Sequence, residues 1–465
     1  MQSRKNLILI LASIGTFVEA LDIAIINLTM PSIQSQFNIT ASTVQWLQTL
    51  YVLFFGGFLI IGGKLSDQIG RKKIFIIGGI IFMLTSLGAG LSPNFETLAV
   101  FRALQGLGAA FIMPSALSIV THTFQKEQER NHALGIFSAF AAIGSGSGLS
   151  IGGIISTYLS WHWVFLINVP ILLITIILSY TFLPSDIKNS NRNSNRESAD
   201  TVSGILLVLG LLLLTYGTHE FIHIQERPVL IVGSIILSIS LLCTFIYRLK
   251  NISNPLIDLK LFSHQSLVAS NLAFFSLGAF FISFLFLISL MLQKDMGYSA
   301  ANSGLMLVPF SILSALIAKF VLPNISKKLS AVQIGLLGWS FMLTGALCLI
   351  FAIYLHHPTV LVLIGAACIS GIGMTLCFTS LSVLGIRNVE PKQYGVASSL
   401  TSTSYFLGAG IGLSFMTLMT QFFPSDWAVS NLSVSILFIY GITAIVILLF
   451  FIIKEYKSLR ESLHY

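Results

Sequence analysis

Apolar runs long enough to cross a bilayer recur along the whole chain, with short polar breaks between them. Fourteen can be counted, at roughly 7–29, 44–63, 74–92, 96–120, 132–157, 163–183, 203–219, 228–248, 267–291, 303–322, 332–355, 359–384, 395–422 and 431–453. A helix rises about 1.5 Å per residue, so about 20 apolar residues cover the hydrocarbon core. Each run therefore predicts one spanning helix. The first run follows Arg4 and Lys5, as a signal peptide would. It continues through two acids with no small-residue cleavage site, which predicts a retained helix. The longest polar break, Pro184 to Thr201, contains Lys188-Asn-Ser-Asn-Arg-Asn-Ser-Asn-Arg196 and reads as a flexible linker. It divides the helices six, two and six. The domains expected are an N-terminal bundle over 1–184, the linker with two inserted helices over 185–262, and a C-terminal bundle over 263–465.

Two acids interrupt the first run, in Phe17-Val-Glu19-Ala-Leu-Asp22-Ile-Ala-Ile-Ile-Asn27. The middle of that helix falls near Glu19, where a carboxylate costs roughly 2.5–3.5 kcal/mol on insertion scales. Glu19 and Asp22 are three apart and share a face. That face should look into a cavity or at a partner.

Composition supports an all-α integral membrane protein. Of 465 residues, 55% are apolar and 9% charged, with mean hydropathy +0.89, against about 25% charged in a soluble domain. Cys243, Cys348, Cys368 and Cys377 all lie in apolar runs without metal spacing, so neither metal nor cofactor is expected. The net charge of +8 would suit nucleic acid, but its distribution follows topology. Of the 25 lysines and arginines, only Arg227 and Lys294 fall in loops on one side, and Arg102 and Lys319 fall within helices. All the others fall on the opposite side, which the positive-inside rule makes cytoplasmic, with both termini there. Trp46, Trp161, Trp163 and Trp427 fall at the outer interface, as an aromatic belt would. No Walker-type phosphate loop occurs. No loop is large enough for a soluble active site, so an enzyme is not expected.

The second run ends in Gly63-Lys-Leu-Ser-Asp67-Gln-Ile-Gly70-Arg71-Lys72-Lys73. Asp67 stands four before Arg71, so the turn reads equally as a charge latch or as an ordinary positive-inside loop. It resembles the signature loop of the major facilitator superfamily, Gly-x-Leu-small-Asp-Arg-x-Gly-Arg-Lys, with Gln68 in place of Arg. The resemblance implies a gate that holds one access state, with Asp67 pairing with basic groups or a facing helix end. Leu21-Asp22-Ile-Ala-Ile-Ile-Asn27-Leu-Thr-Met-Pro31 resembles the first-helix motif of the fourteen-helix drug:proton antiporters. Arg102-Ala-Leu-Gln105-Gly106-Leu-Gly108 resembles their fourth-helix motif. Trp161-His-Trp163-Val-Phe-Leu-Ile-Asn168-Val-Pro170, Asn254-Pro-Leu-Ile-Asp-Leu-Lys-Leu-Phe262 and Tyr298-Ser-Ala-Ala-Asn-Ser-Gly304-Leu-Met-Leu-Val-Pro309 resemble further segments in the same order. The fifth helix reads Gly144-Ser-Gly-Ser-Gly148-Leu149-Ser-Ile-Gly152-Gly153, where these exporters carry Gly-x-x-x-Gly-Pro-x-x-Gly-Gly. The resemblance implies an antiport motif, with Leu149 in place of the kinking proline and four glycines left to bend and pack the helix.

Depth arithmetic assigns roles. Helix one runs outward, so Asp22 sits about 5 Å beyond Glu19. Helix four runs inward, which puts Arg102 about 9 Å outside the midplane. Asp22 and Arg102 are thus level and of opposite charge, and pairing is expected, since two isolated charges would each cost more. For Arg102 the other reading is a bond to backbone carbonyls. Glu19 is left without a cation visible in the sequence. It either hydrogen-bonds neighbouring helices or holds a proton and exchanges it for a cationic substrate.

The function expected is proton-coupled export of hydrophobic, cationic drugs across the bacterial cytoplasmic membrane by alternating access. The partners are an amphiphilic small molecule, the proton and the bilayer, and the chain acts as a monomer. The alternatives are export of one physiological solute such as a fatty acid, siderophore or tetracycline-like compound, coupling to Na⁺ or K⁺, and a non-transporting sensor.

Overall fold

The computed structural model describes residues 2–184, 200–252, 255–356, 358–389, 394–421 and 426–462. Among them the chain is helical, with no strand. The linker residues 185–199 lie outside the described residues. The helices are α1 (Gln2–Phe37), α2 (Ala41–Ile69), α3 (Arg71–Gly90), α4 (Phe95–Thr123), α5 (Glu127–Tyr158), α6 (His162–Leu166), α7 (Asn168–Phe182), α8 (Thr201–His219), α9 (Pro228–Asn251), α10 (Gln265–Leu290), α11 (Ala300–Leu316), α12 (Leu322–Ile325), α13 (Ala331–Tyr354), α14 (Thr359–Ala366), α15 (Met374–Ile386), α16 (Tyr394–Gln421) and α17 (Asp426–Ser462). Thirteen stretches of the described residues are long and apolar enough to cross a membrane. The remaining expected run, 395–422, forms α16. It is 28 residues long, and its glycines, serines and threonines dilute its apolar content.

The sixth run spans His162–Phe182 as expected, with Ile167 between α6 and α7 keeping helical φ and ψ. One expectation is corrected. Trp161 is not a belt residue. It is buried and donates from Nε1 to Gln36 Oε1 at 2.7 Å, because an indole N–H placed inside a bundle needs an acceptor. Trp163 is half exposed, and the side chain of Trp427 lies outside the described ones.

The residues divide into two compact units. The first comprises Met1–Tyr216, Val232–Ile257 and Gly297–Val308. Its organising contact is between α1 and α5, which run parallel. A Cβ at Gly144 would lie 2.4 Å from Phe17 O, one at Gly148 2.7 Å from Leu21 O, and one at Gly152 2.5 Å from Ile25 O. Both rows repeat every four residues, so a strip of bare backbone on α5 lies against one face of α1. Ser32 and Ser156 hydroxyls bond at 2.7 Å at one end of this seam, and Lys5 Nζ bonds Glu129 Oε2 at 3.0 Å at the other. The start of α11 lies against another face of α5. A Cβ at Gly153 would meet Ala300 O at 2.1 Å, and one at Gly304 would meet Leu149 O at 2.6 Å. Thus α5 is continuous through Leu149, and the glycines serve close packing.

Helices α8 and α9 pack within the same unit. Val208 fills the groove at Gly57, and Ile61 that at Gly204. Asp200 accepts from the Ser203 hydroxyl and pairs with Arg248 Nη2 at 3.0 Å. Lys64 Nζ donates to Pro255 O at 2.5 Å, tying the chain after α9 back to the end of α2.

The second unit comprises Gly217–Ile231, Asp258–Met296 and Pro309–Tyr465. Here α10 and α16 meet at backbone distance: a Cβ at Gly278 would meet Tyr405 O and one at Gly408 would meet Phe275 O, both under 2 Å. Trp339 is fully buried with its ring 5.9 Å from Phe280. Single-turn π segments at Met291–Asp295, Ile317–Val321 and Ala367–Gly373 widen three of the helices.

Candidate functional site

Helices α4 and α7 bring donors to Asp22, and α2 and α3 hold those donors in place. Gly106 lets α4 approach α2, since a Cβ there would lie 2.3 Å from Tyr51 O, and Gly108 lets α4 approach α3 at Phe82. One turn earlier on α4, Arg102 and Gln105 reach α1. Arg102 Nη1 donates to Asp22 Oδ2 at 2.5 Å and to Gln105 Oε1 at 2.8 Å. Gln105 Nε2 donates to Asp22 Oδ1 at 2.9 Å and to Ser86 Oγ at 2.7 Å. Asn168, the first residue of α7, donates from Nδ2 to Asp22 Oδ1 at 3.0 Å. Arg102 Nε donates to Leu47 O at 3.2 Å, and its guanidinium lies 4.4 Å from the Tyr51 ring centroid and 5.7 Å from that of Phe165. Asp22, Gln105, Asn168, Ser86 and Arg102 are all fully buried. Burial of charge is tolerated when it is paired: three donors converge on the Asp22 carboxylate, while Arg102 Nη2 finds no partner among the described residues.

Both readings of Arg102 are realised at once, since it pairs with Asp22 and also bonds a backbone carbonyl. The sequence left out Tyr51, Ser86 and the Leu47 carbonyl, and it gave Asn168 no role. A buried serine inside the third apolar run was the available signal for Ser86.

Glu19 stands apart from this network. It is 7% exposed, and among the described residues no hydrogen bond or ion pair reaches it. The charge acting on it is Asp22, one turn away. Asn27 turns back on its own helix, donating to Ile23 O at 2.9 Å and Ala24 O at 3.3 Å. Pro309 lies inside α11.

In the turn after α2, Gly70 has φ of 121°, a conformation that favours glycine. It stops α2 at Ile69 and starts α3 at Arg71. Asp67 and Arg71 are therefore on different helices, the four-residue spacing does not put them on one face, and no ion pair joins them among the described residues. Asp67 is exposed. At Gly63 a Cβ would make only ordinary contact with Pro114, 3.7 Å away. Lys72 makes cross-helix bonds from the turn. Its Nζ donates to Tyr180 O at 2.7 Å and Leu183 O at 2.9 Å, and lies 5.5 Å over the Tyr180 ring. These carbonyls are left open at the end of α7, where a cation also suits the helix dipole.

Among the described residues no three His, Cys, Asp or Glu side chains gather as a metal site would require. The arrangement instead offers one compensated acid and one uncompensated acid on neighbouring turns.

A family model for the Major Facilitator Superfamily matches residues 12–413. The cephamycin export protein CmcT of Amycolatopsis lactamdurans is 32% identical over 89% of this chain and 84% of its own. The multidrug efflux pump LfrA of Mycolicibacterium smegmatis is 29% identical over 88% and 79%. The multidrug resistance protein Stp of Mycobacterium tuberculosis is 28% identical over 90% and 76%. Among solved structures, a D-xylose-proton symporter superposes with a TM-score of 0.67 at 15% identity, covering 96% of both chains, which establishes the fold.

Proposed function

The chain belongs to the Major Facilitator Superfamily, and on that premise we propose that it is a proton-coupled exporter of hydrophobic, cationic small molecules across the bacterial cell membrane. The observation that carries this reading is the asymmetry on α1: Asp22 accepts from Arg102, Gln105 and Asn168, whereas Glu19, equally deep, accepts from nothing described. An ionised carboxylate in that setting needs a cation. Either a proton or a cationic substrate meets the need, and the two exclude each other. A proton arriving from outside converts Glu19 to the acid and frees the cargo there. On the cytoplasmic side Glu19 gives that proton to water, and the carboxylate pairs with the next cargo. One proton enters for each such exchange. Asp22 and Arg102 hold α1 and α4 together around this site and set the field that Glu19 feels.

The two six-helix bundles at 1–184 and 263–465 supply alternating access, with 185–262 as the insertion, both termini cytoplasmic, and the α2–α3 turn as the gate. The monomer is the working unit. Export by relatives named for cephamycin and for multidrug efflux supports the direction.

Everted membrane vesicles energised to an inside-acid gradient test this through fluorescent-dye uptake. The wild type is expected to collapse part of the pH gradient on addition of substrate, and Glu19→Gln is expected to abolish that response while leaving expression intact. Unchanged coupling in Glu19→Gln refutes the assignment. The cephamycin exporter favours a second reading, a narrow range of antibiotic-like solutes, and a substrate panel in the same vesicles separates the two.

A further inference from the structure

The row of α5 that begins with Gly152, Gly148 and Gly144 continues, four residues at a time, into Phe140, Ile136 and His132. Bare backbone gives way to bulk on the same face. Helices that touch at the glycines are therefore wedged apart further down, and a pocket of about 450 Å³ opens between α1 and α5. Leu9 and Ile10 of α1 face Ile136 and Phe140 of α5 across it, and Phe124 and Glu129 close one end. At that end sits a built-in ammonium. Lys5 Nζ lies 3.0 Å from Glu129 Oε2 and 5.6 Å from the centre of the Phe124 ring.

A carboxylate and an aromatic face converging on one ammonium, beside a greasy wall, form a receptor for an amphiphilic cation. We propose that this pocket is a recruitment site for lipophilic organic cations, in which the Lys5 ammonium is the resident ligand that the cargo displaces from Glu129. Exchange of one cation for another leaves Glu129 compensated, and the displaced Lys5 ammonium, a third exposed, turns to water. The Lys5–Glu129 pair is about a third exposed on each side, and such pairs are weakly held. The cargo adds what lysine lacks, an apolar body against Leu9, Ile10, Ile136 and Phe140. The site lies some three turns from Glu19 along α1, so it serves capture rather than proton exchange. The inference rests on the reading of the chain as an exporter of hydrophobic cations.

The test is rhodamine 6G binding to the purified full-length chain in nanodiscs, followed by fluorescence polarisation. It is run in the Glu19→Gln background so that the α1 acid does not contribute. Removing the internal competitor with Lys5→Gln is expected to tighten binding by about two- to fivefold. Glu129→Gln is expected to weaken it by about tenfold, and Lys5→Arg to leave it unchanged. Melting temperature and elution volume report on folding for each variant. Weaker or unchanged binding in Lys5→Gln overturns the proposal, since either outcome makes Lys5 a structural tether or an anion ligand. The export reading is judged separately by proton coupling. If Glu19→Gln abolishes coupling while the Lys5 and Glu129 variants leave dye binding untouched, capture fails and export stands. If the Lys5 and Glu129 shifts occur but Glu19→Gln still couples, the capture site stands and the Glu19 assignment falls.

Discussion

Arg102 spreads its donors over a carboxylate, an amide and a backbone carbonyl, with aromatic rings of Tyr51 and Phe165 within cation–π reach. Taking one charge from a buried pair strands the other, at roughly 3–5 kcal/mol. Arg102→Leu is therefore expected to lower the melting temperature of the detergent-purified protein sharply. Adding Asp22→Asn to it is expected to recover part of the loss, because the stranded charge goes too. Equal melting of the single and double variants would show that the pair carries no coupling. Lys72→Ala is expected to act locally: it uncaps α7, so faster amide exchange should appear over the last turn before Leu183, with transport lowered and Lys72→Arg restoring it. The Asp22–Arg102 match was legible because helical rise alone fixes depth, and both residues come from long runs with clear centres. Tyr51, Ser86 and Asn168 were not, because depth says nothing of which helices are lateral neighbours. Glu19 was half legible: its lack of a cation could be read, but its separation from a network one turn away needed the packing.

At the scale of the element, α5 packs on its glycines without the proline. The helix stays continuous from Glu127 to Tyr158, and its glycines admit α1 on one side and α11 on another. The two kinds of glycine on α5 make a controlled comparison. A Cβ at Gly148 would lie 2.7 Å from a carbonyl oxygen of α1, whereas one at Gly135 would meet nothing within 4 Å. Gly148→Ala is expected to destabilise the protein and reduce transport. Gly135→Ala is expected to stabilise it by about 0.5–1 kcal/mol through helix propensity alone, read as a melting shift of opposite sign. The sequence marked these glycines as packing residues because they lie within a spanning run. It did not say that the surface they meet is the helix bearing the two acids.

For the molecule as a whole, most of α8 and α9 belongs with the first unit, and one ion pair joins the start of α8 to α9. Burial works against ionisation of Asp200, but bonds from the Ser203 hydroxyl and backbone and from Arg248 overcome that and hold its pKa below the ordinary 3.8. A depressed acid contributes stability above its unfolded value and loses it as pH falls through the folded one. The melting difference between wild type and Asp200→Asn is thus expected to be flat from about pH 5 to 8 and to shrink only below about pH 4. A difference that grew on acidification would contradict the assignment.

Two lysines flanking the α2–α3 turn grip the chain before α8 and after α9: Lys72, in the first turn of α3, holds Leu183, where the sixth run finishes, and Lys64, near the end of α2, holds Pro255, where the path toward α10 resumes. On the proposed division into six, two and six helices, the α8–α9 pair is a detachable cassette. Excising residues 186–253 and splicing the stumps with a few glycines and serines should yield a twelve-helix protein that still reaches the membrane, because its two cut points already share a common anchor.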